Sequence, residues 1–191
     1  TITSAQALDE TKNNYLMGIV YIDERFGIAV SDISTGDFLV TEVETERELA
    51  DEINKFSPSE IICNDAFFVS GVDTEEVKNR YQTVIAALDS HFFSDEGCRR
   101  ILKEHFKVGS LDGLGLQDYD TGVIAAGAVM EYMYETQKST LSHITTIVPY
   151  STGQFMIIDT STRRNLELLE TMREKQKRGT LLWVLDKTKT A

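Results

Sequence analysis

The side chains of this chain best equipped for chemistry are its carboxylates. Its 191 residues include 31 Asp and Glu against 19 Lys and Arg, a net charge of −12. Carboxylates gathered around two divalent ions can cleave phosphodiesters, because the metals activate water and neutralise the charge that develops. That chemistry needs acids that converge on one point, one of them inside a central strand. The first long apolar segment, "YLMGIVYI" (15–22), contains no acid; Asp23 comes at its exit and Asp32 falls in the next segment. One displaced carboxylate cannot bridge two metals, so Asp32 reads as a turn-stabilising or edge residue.

The remaining candidates are equally sparse. His91, His105 and His143 are scattered, and none has a second imidazole or thiolate at helical spacing to suggest zinc. His105 lies on an apolar helical stripe, where a hydrogen-bonded core histidine is expected. Cys63 and Cys98 stand alone in apolar surroundings and read as buried free thiols of a reducing compartment. The loop "VGSLDGLGL" (108–116) has glycines at 109, 113 and 115 but no Gly-Lys-Ser/Thr, and Asp118 stands where a dinucleotide fingerprint needs a third glycine. It reads as a structural loop.

Charge is unevenly spread. Residues 159–191 carry eight basic and five acidic side chains, whereas residues 1–158 carry 11 basic and 26 acidic. The long acidic part repels a phosphate backbone, so it is not expected to grip nucleic acid alone. The basic stretch from Arg163 to Arg178 admits two readings, a phosphate contact or helical ion pairs such as Arg163–Glu167 and Glu170–Arg173.

Three apolar segments joined by short turns, 15–22, 28–34 and 38–43, predict an antiparallel meander that would position any such groups. Thr45 and Glu48 form a capping-box pattern, and Leu49, Ala50, Ile53 and Phe56 follow on one helical face before Pro58. "EIICN" (60–64) is a fourth strand, reached by a crossover; a helix at 74–81 leads to a fifth at 83–88. Ser94 caps a helix bearing Cys98, Ile101, Leu102, His105 and Phe106 on its apolar side. A further helix at about 119–137 contains "AAGA" (125–128), small enough for close approach to a neighbour. Residues 139–150 read as an extended link with a seam at Pro149, and "QFMIID" (154–159) as a strand-like piece.

The order β-β-β-α-β-α-β with a central first strand predicts a ribonuclease H-like, mixed five-stranded α/β sheet with flanking helices. The expected organisation is a lead-in at 1–14, this sheet domain at 15–148, and the first helices of an all-α domain at 149–191. The longest helical apolar run, Val123–Met130, falls short of the roughly 20 residues a membrane span needs. No basic and apolar leader opens the chain, so a cytoplasmic location is expected. A metal-dependent nuclease on this sheet remains the enzymatic alternative.

"DTSTRRNLEL" followed by "GTLLWVLDKTKTA" resembles a signature of the MutS family of DNA mismatch-repair proteins, on Asp159, Thr162, Arg164, Asn165, Leu166 and Glu167, then Leu168, Leu181, Leu182, Leu185, Asp186, Thr188 and Thr190. "NNYL" (13–16), "DISTGDF" (32–38) and "AAGAVMEYMYETQKSTLSHI" (125–144) are similar to that family's connector domain. The resemblance implies a connector, followed at 159 by the start of the family's helical core. It also implies a parent clamp, dimeric, that binds mismatched DNA and hydrolyses ATP with Mg²⁺ through regions outside this chain. The connector would relay between those regions and dock MutL, with no catalytic, cofactor or metal residues of its own.

A sheet domain with its own core should fold without the helices after it. A chain ending at residue 150 is expected to keep a cooperative unfolding transition by circular dichroism. Loss of that transition would tie the sheet's stability to the later segment.

Overall fold

The computed structural model describes residues 14–137 and 141–152. β1 (Leu16–Ile22), β2 (Arg25–Asp32) and β3 (Asp37–Val43) form the predicted meander. Asp23 and Glu24 both take positive φ, 51° and 62°, which gives the two-residue hairpin the twist of its flanking strands. Because that turn is so tight, β2 begins at Arg25, three residues before the expected Ile28, and Ile22 pairs with Arg25.

α1 (Glu46–Phe56) carries the chain to β4 (Glu60–Cys63), parallel to β1. α2 (Thr74–Tyr81) then leads to β5 (Val84–Ala87), parallel to β4. The capping box at the start of α1 is present in both directions, Thr45 to Glu48 and back. α3 (Asp95–Phe106) is capped by Ser94, as expected, and α4 spans Asp120–Gln137.

The fold is the expected ribonuclease H-like α/β class, but the sheet has six strands where five are expected. β6 (Val148–Pro149) pairs in parallel with β3, giving the order β5-β4-β1-β2-β3-β6. A two-residue strand containing proline lacks any alternating pattern, and proline is tolerated there because β6 lies at the sheet edge. The predicted seam at Pro149 thus falls within a strand.

Each face of the sheet has its own core. Met17, Ile19, Phe26, Ile28, Val30 and Ile61 meet Leu49, Ile53 and Phe56 of α1. Leu16, Val20, Ala29, Val40 and Ile62 meet Val123, Ala126, Val129 and Met130 of α4, with Leu102 of α3 behind them. This two-sided burial explains why "YLMGIVYI" is apolar almost throughout. Ala50, expected on the buried face of α1, is exposed, and Glu52 occupies that face instead.

α4 lies unusually close to the sheet. A Cβ added to Gly18 would stand 2.4 Å from Val129 Cγ2, and one added to Gly27 would stand 2.3 Å from the Thr121 carbonyl oxygen. On its far side, a Cβ on Gly127 would stand 2.3 Å from Cys98 Cβ of α3. The helix start is fixed from below. Glu42 on β3 accepts hydrogen bonds from the amides of Thr121 (2.7 Å) and Gly122 (2.8 Å). These are amides a helix leaves unpaired, and a carboxylate there complements the positive end of the helix dipole.

Gly27→Ala forces backbone apart from backbone and is expected to destabilise by about 1–3 kcal/mol or more. Gly109→Ala, with no atom within 4 Å of the new methyl, should be neutral or stabilising by about 0.4–1 kcal/mol through the unfolded chain. Urea unfolding of the two variants tests this; equal effects would mean that helix–sheet proximity is not the constraint.

Candidate functional site

The two acids considered for metal chemistry lie at opposite ends of the β1–β2 pair. Asp23 is exposed in the hairpin, whereas Asp32 follows Ser31, which pairs with Leu16 at the start of β1. Asp32 is buried, and its Oδ1 accepts hydrogen bonds from the Ser34 amide (2.9 Å) and hydroxyl (2.7 Å). Its carbonyl accepts from the Gly36 amide at 2.8 Å, so it organises the β2–β3 turn as the sequence predicts. In mid-β1, fully buried Ile19 lies between Ile28 and Cys63. Just past β4, Asn64 extends the ladder by its side chain, accepting from the Tyr21 amide (3.1 Å) and donating to the Tyr21 carbonyl (3.2 Å).

Among the described residues, one polar cluster within the cores lies just past β6. Tyr150 is buried beside α1. Its amide donates to the Val40 carbonyl at 2.9 Å, and its carbonyl accepts from the Thr41 hydroxyl at 2.7 Å. Its phenol donates to Glu52 Oε1 at 2.6 Å, while Lys55 Nζ donates to Glu52 Oε2 at 3.2 Å. The same ammonium stands 5.4 Å from the centre of the Tyr150 ring. Burial holds Lys55 below the usual ammonium range, against the pull of Glu52. Burial, then the Glu52 charge, holds the Tyr150 phenol well above its usual value. The phenol is thus a donor at physiological pH, and the Glu52 carboxylate is the acceptor that ties Tyr150 to α1.

This cluster is not apparent from residue types alone. Its one visible trace is that Glu52 lies on the 49–53–56 stripe of α1, a position that demands either exposure or a buried partner. The partner comes from 98 residues away. A comparable pair spans the other face, where Tyr132 of α4 donates to Glu60 at 2.5 Å.

The histidines have separate fates. His105 is half-buried, its Nδ1 at 2.5 Å from the Tyr134 hydroxyl and its Nε2 at 2.8 Å from the Ile144 carbonyl. His143 Nε2 meets the Ile33 carbonyl. His91 is exposed on a 3-10 turn (Ser90–Phe93) beside Glu131 and Glu135 of α4. The glycine-rich loop folds into a short 3-10 turn at Leu111–Leu114, with Gly115 at φ 79°. The family-motif residues Asp159, Thr162, Arg164, Asn165, Leu166 and Glu167 lie outside the described residues.

Both cysteines are buried and free, as expected. Burial pushes each thiol up to about 12, from 9.0, with lesser contributions from Asp65 on Cys63 and Glu131 on Cys98. Between these values the unfolded chain has released protons that the folded chain retains, so rising pH favours unfolding. The thiol contribution is complete below pH 9.0 and is lost as pH rises toward about 12. Denaturant titrations should therefore show stability falling above that lower value, less steeply when both cysteines are Ala. An unchanged slope in the double variant would show that the thiols do not cause the loss.

The chain matches the family described as MutS domain II over residues 14–145. It is 60% identical over 191 residues to the DNA mismatch repair protein MutS of Lachnoclostridium phytofermentans, covering 100% of this chain and 20% of that protein. Identity is 44% to its counterpart in Ruminiclostridium cellulolyticum and 43% to that in Acetivibrio thermocellus, each over 194 residues, all of this chain and 22% of the relative. The chain thus spans about a fifth of the length of these relatives. A T. thermophilus RuvC chain, in complex with a Holliday junction substrate, is similar at a TM-score of 0.44 and 9% identity, over 64% of this chain and 96% of that one, which is too distant to bear weight. No helix among the described residues is long and apolar enough to cross a membrane. With its domain II match and 60% identity along its own full length to one of these repair proteins, the chain belongs to the MutS family.

Proposed function

We propose that the chain serves as a connector in a longer mismatch-repair protein. In this reading it joins the part that reads mismatched DNA to the part that hydrolyses ATP with Mg²⁺, and it offers a surface to MutL. Its role is relay and docking.

The observation that carries the relay reading is the anchorage of Tyr150. At the end of the described chain, backbone and side chain are bonded to β3 and α1 together. A displacement that reaches Tyr150 would therefore act on β3 and α1 directly. The docking reading draws support from charge. With 26 acidic against 11 basic side chains, residues 1–158 are poorly suited to gripping a phosphate backbone and well suited to a basic protein surface.

Two measurements test these parts separately. The chain should bind the amino-terminal domain of MutL and show no binding to a mismatched duplex at physiological salt; the reverse pattern would overturn docking. In the full-length parent, Tyr150→Phe removes the phenol's bond to Glu52, a local cost of about 1–3 kcal/mol. Mismatch binding and basal ATP turnover should persist, while the response of turnover to a mismatch weakens. An undiminished response would overturn the relay.

A further inference from the structure

We propose that His91, Glu131 and Glu135 form a binding site for one divalent transition-metal ion, with Zn²⁺ as its natural probe. The imidazole nitrogen and the two carboxylate oxygens all lie within 4.8 Å of one another. On a tetrahedral ion with bonds of about 2.1 Å, neighbouring ligand atoms stand about 3.4 Å apart. Small rotations of His91 and Glu135, both exposed, and of half-buried Glu131 close that difference.

The backbone beneath these groups is already fixed. Glu131 and Glu135 are four residues apart on α4 and project from one side of it. Gly127, one further turn back, lies directly against Cys98 of α3. The Cys98 thiol in turn donates to the carbonyls of Phe92 (3.2 Å) and Ile124 (3.4 Å). This ties the His91 turn to both helices. Phe92 is buried beneath the turn, with its ring centre 4.3 Å from that of His91.

The groups are also available. Among the described residues no hydrogen bond or ion pair engages the side chain of His91, Glu131 or Glu135, whereas His105 and His143 each have ring nitrogens in use. Two carboxylates at helical spacing without a described counter-ion repel each other, and a bound cation would remove that cost. One nitrogen and two oxygens suit a borderline ion such as Zn²⁺ better than Ca²⁺, which takes six to eight oxygens. Three protein ligands leave further positions for water or for a group on a partner.

Calorimetric titration of the full 191-residue chain with Zn²⁺ tests the site. The expected result is saturable binding of one ion per chain. Loss of an outer-shell partner of a metal already costs about 10–100-fold, so His91→Ala, Glu131→Gln and Glu135→Gln should each weaken binding by at least about tenfold. His143→Ala should bind as the parent does. Thermal unfolding adds a second readout, because an ion held only by the folded state raises the midpoint, and that rise should vanish in His91→Ala. Absence of saturable binding, or equal binding by His91→Ala, overturns the proposal. Saturable binding lost in His143→Ala but kept in His91→Ala would overturn it equally.

Discussion

Everything in this domain depends on how near α4 comes to the sheet. Where Gly18 and Gly27 face the helix, the space that a single methyl would occupy is filled by Val129 and by the Thr121 carbonyl. Dispersion falls steeply with separation, so each few tenths of an ångström strengthens contact along the whole 18-residue helix. The glycines forfeit side-chain contacts and cost entropy in their strands, yet they set the depth at which every other α4 residue sits. Glu42 locks the helix along its axis by holding its first free amides. Depth and axial position together place α3, which packs behind α4 at Gly127 and Cys98.

On the opposite face, as in the Tyr132–Glu60 pair of the α4 side, position is set by a buried carboxylate meeting a phenol. There α1 buries a carboxylate in an otherwise apolar layer, and Glu52 is satisfied only because Tyr150 and Lys55 reach it. A buried charge with good partners adds less to stability than its contacts suggest, since desolvation consumes much of the attraction. What it adds is uniqueness of position. An apolar residue at 150 could settle in several ways against α1 and β3; a phenol that must meet one oxygen has one. The chain therefore leaves the sheet in a defined direction.

Much of this was legible beforehand. Period-two and period-3.6 patterns located five strands and four helices to within a few residues, because most of these elements bury a continuous apolar face, although β5 has no buried residue and α2 buries only Val77. Capping groups at Thr45 and Ser94 marked helix starts correctly, being local chemistry. What escaped was non-local. β6 is too short to have a period, and its pairing depends on Tyr150 finding Val40 across more than a hundred residues. Ala50 looked like a core residue by polarity, and Glu52 did not, because the sequence gives no sign of a distant phenol. The grouping of His91 with Glu131 and Glu135 escaped for the same reason, as forty residues separate His91 from Glu131. The family resemblance, by contrast, was read chiefly from residues 159–190, which lie outside the described residues, whereas the family match itself covers residues 14–145.

β6 has one more effect, on what the sheet can do beyond its own boundary. An unfinished sheet edge is a template on which another backbone can crystallise, ribbon upon ribbon. At this flank the template is two residues long, and one of them, Pro149, has no amide hydrogen to offer. An arriving strand would find too few sockets to zip into, so stacking of one molecule onto the next is stalled on that side by a single imino acid.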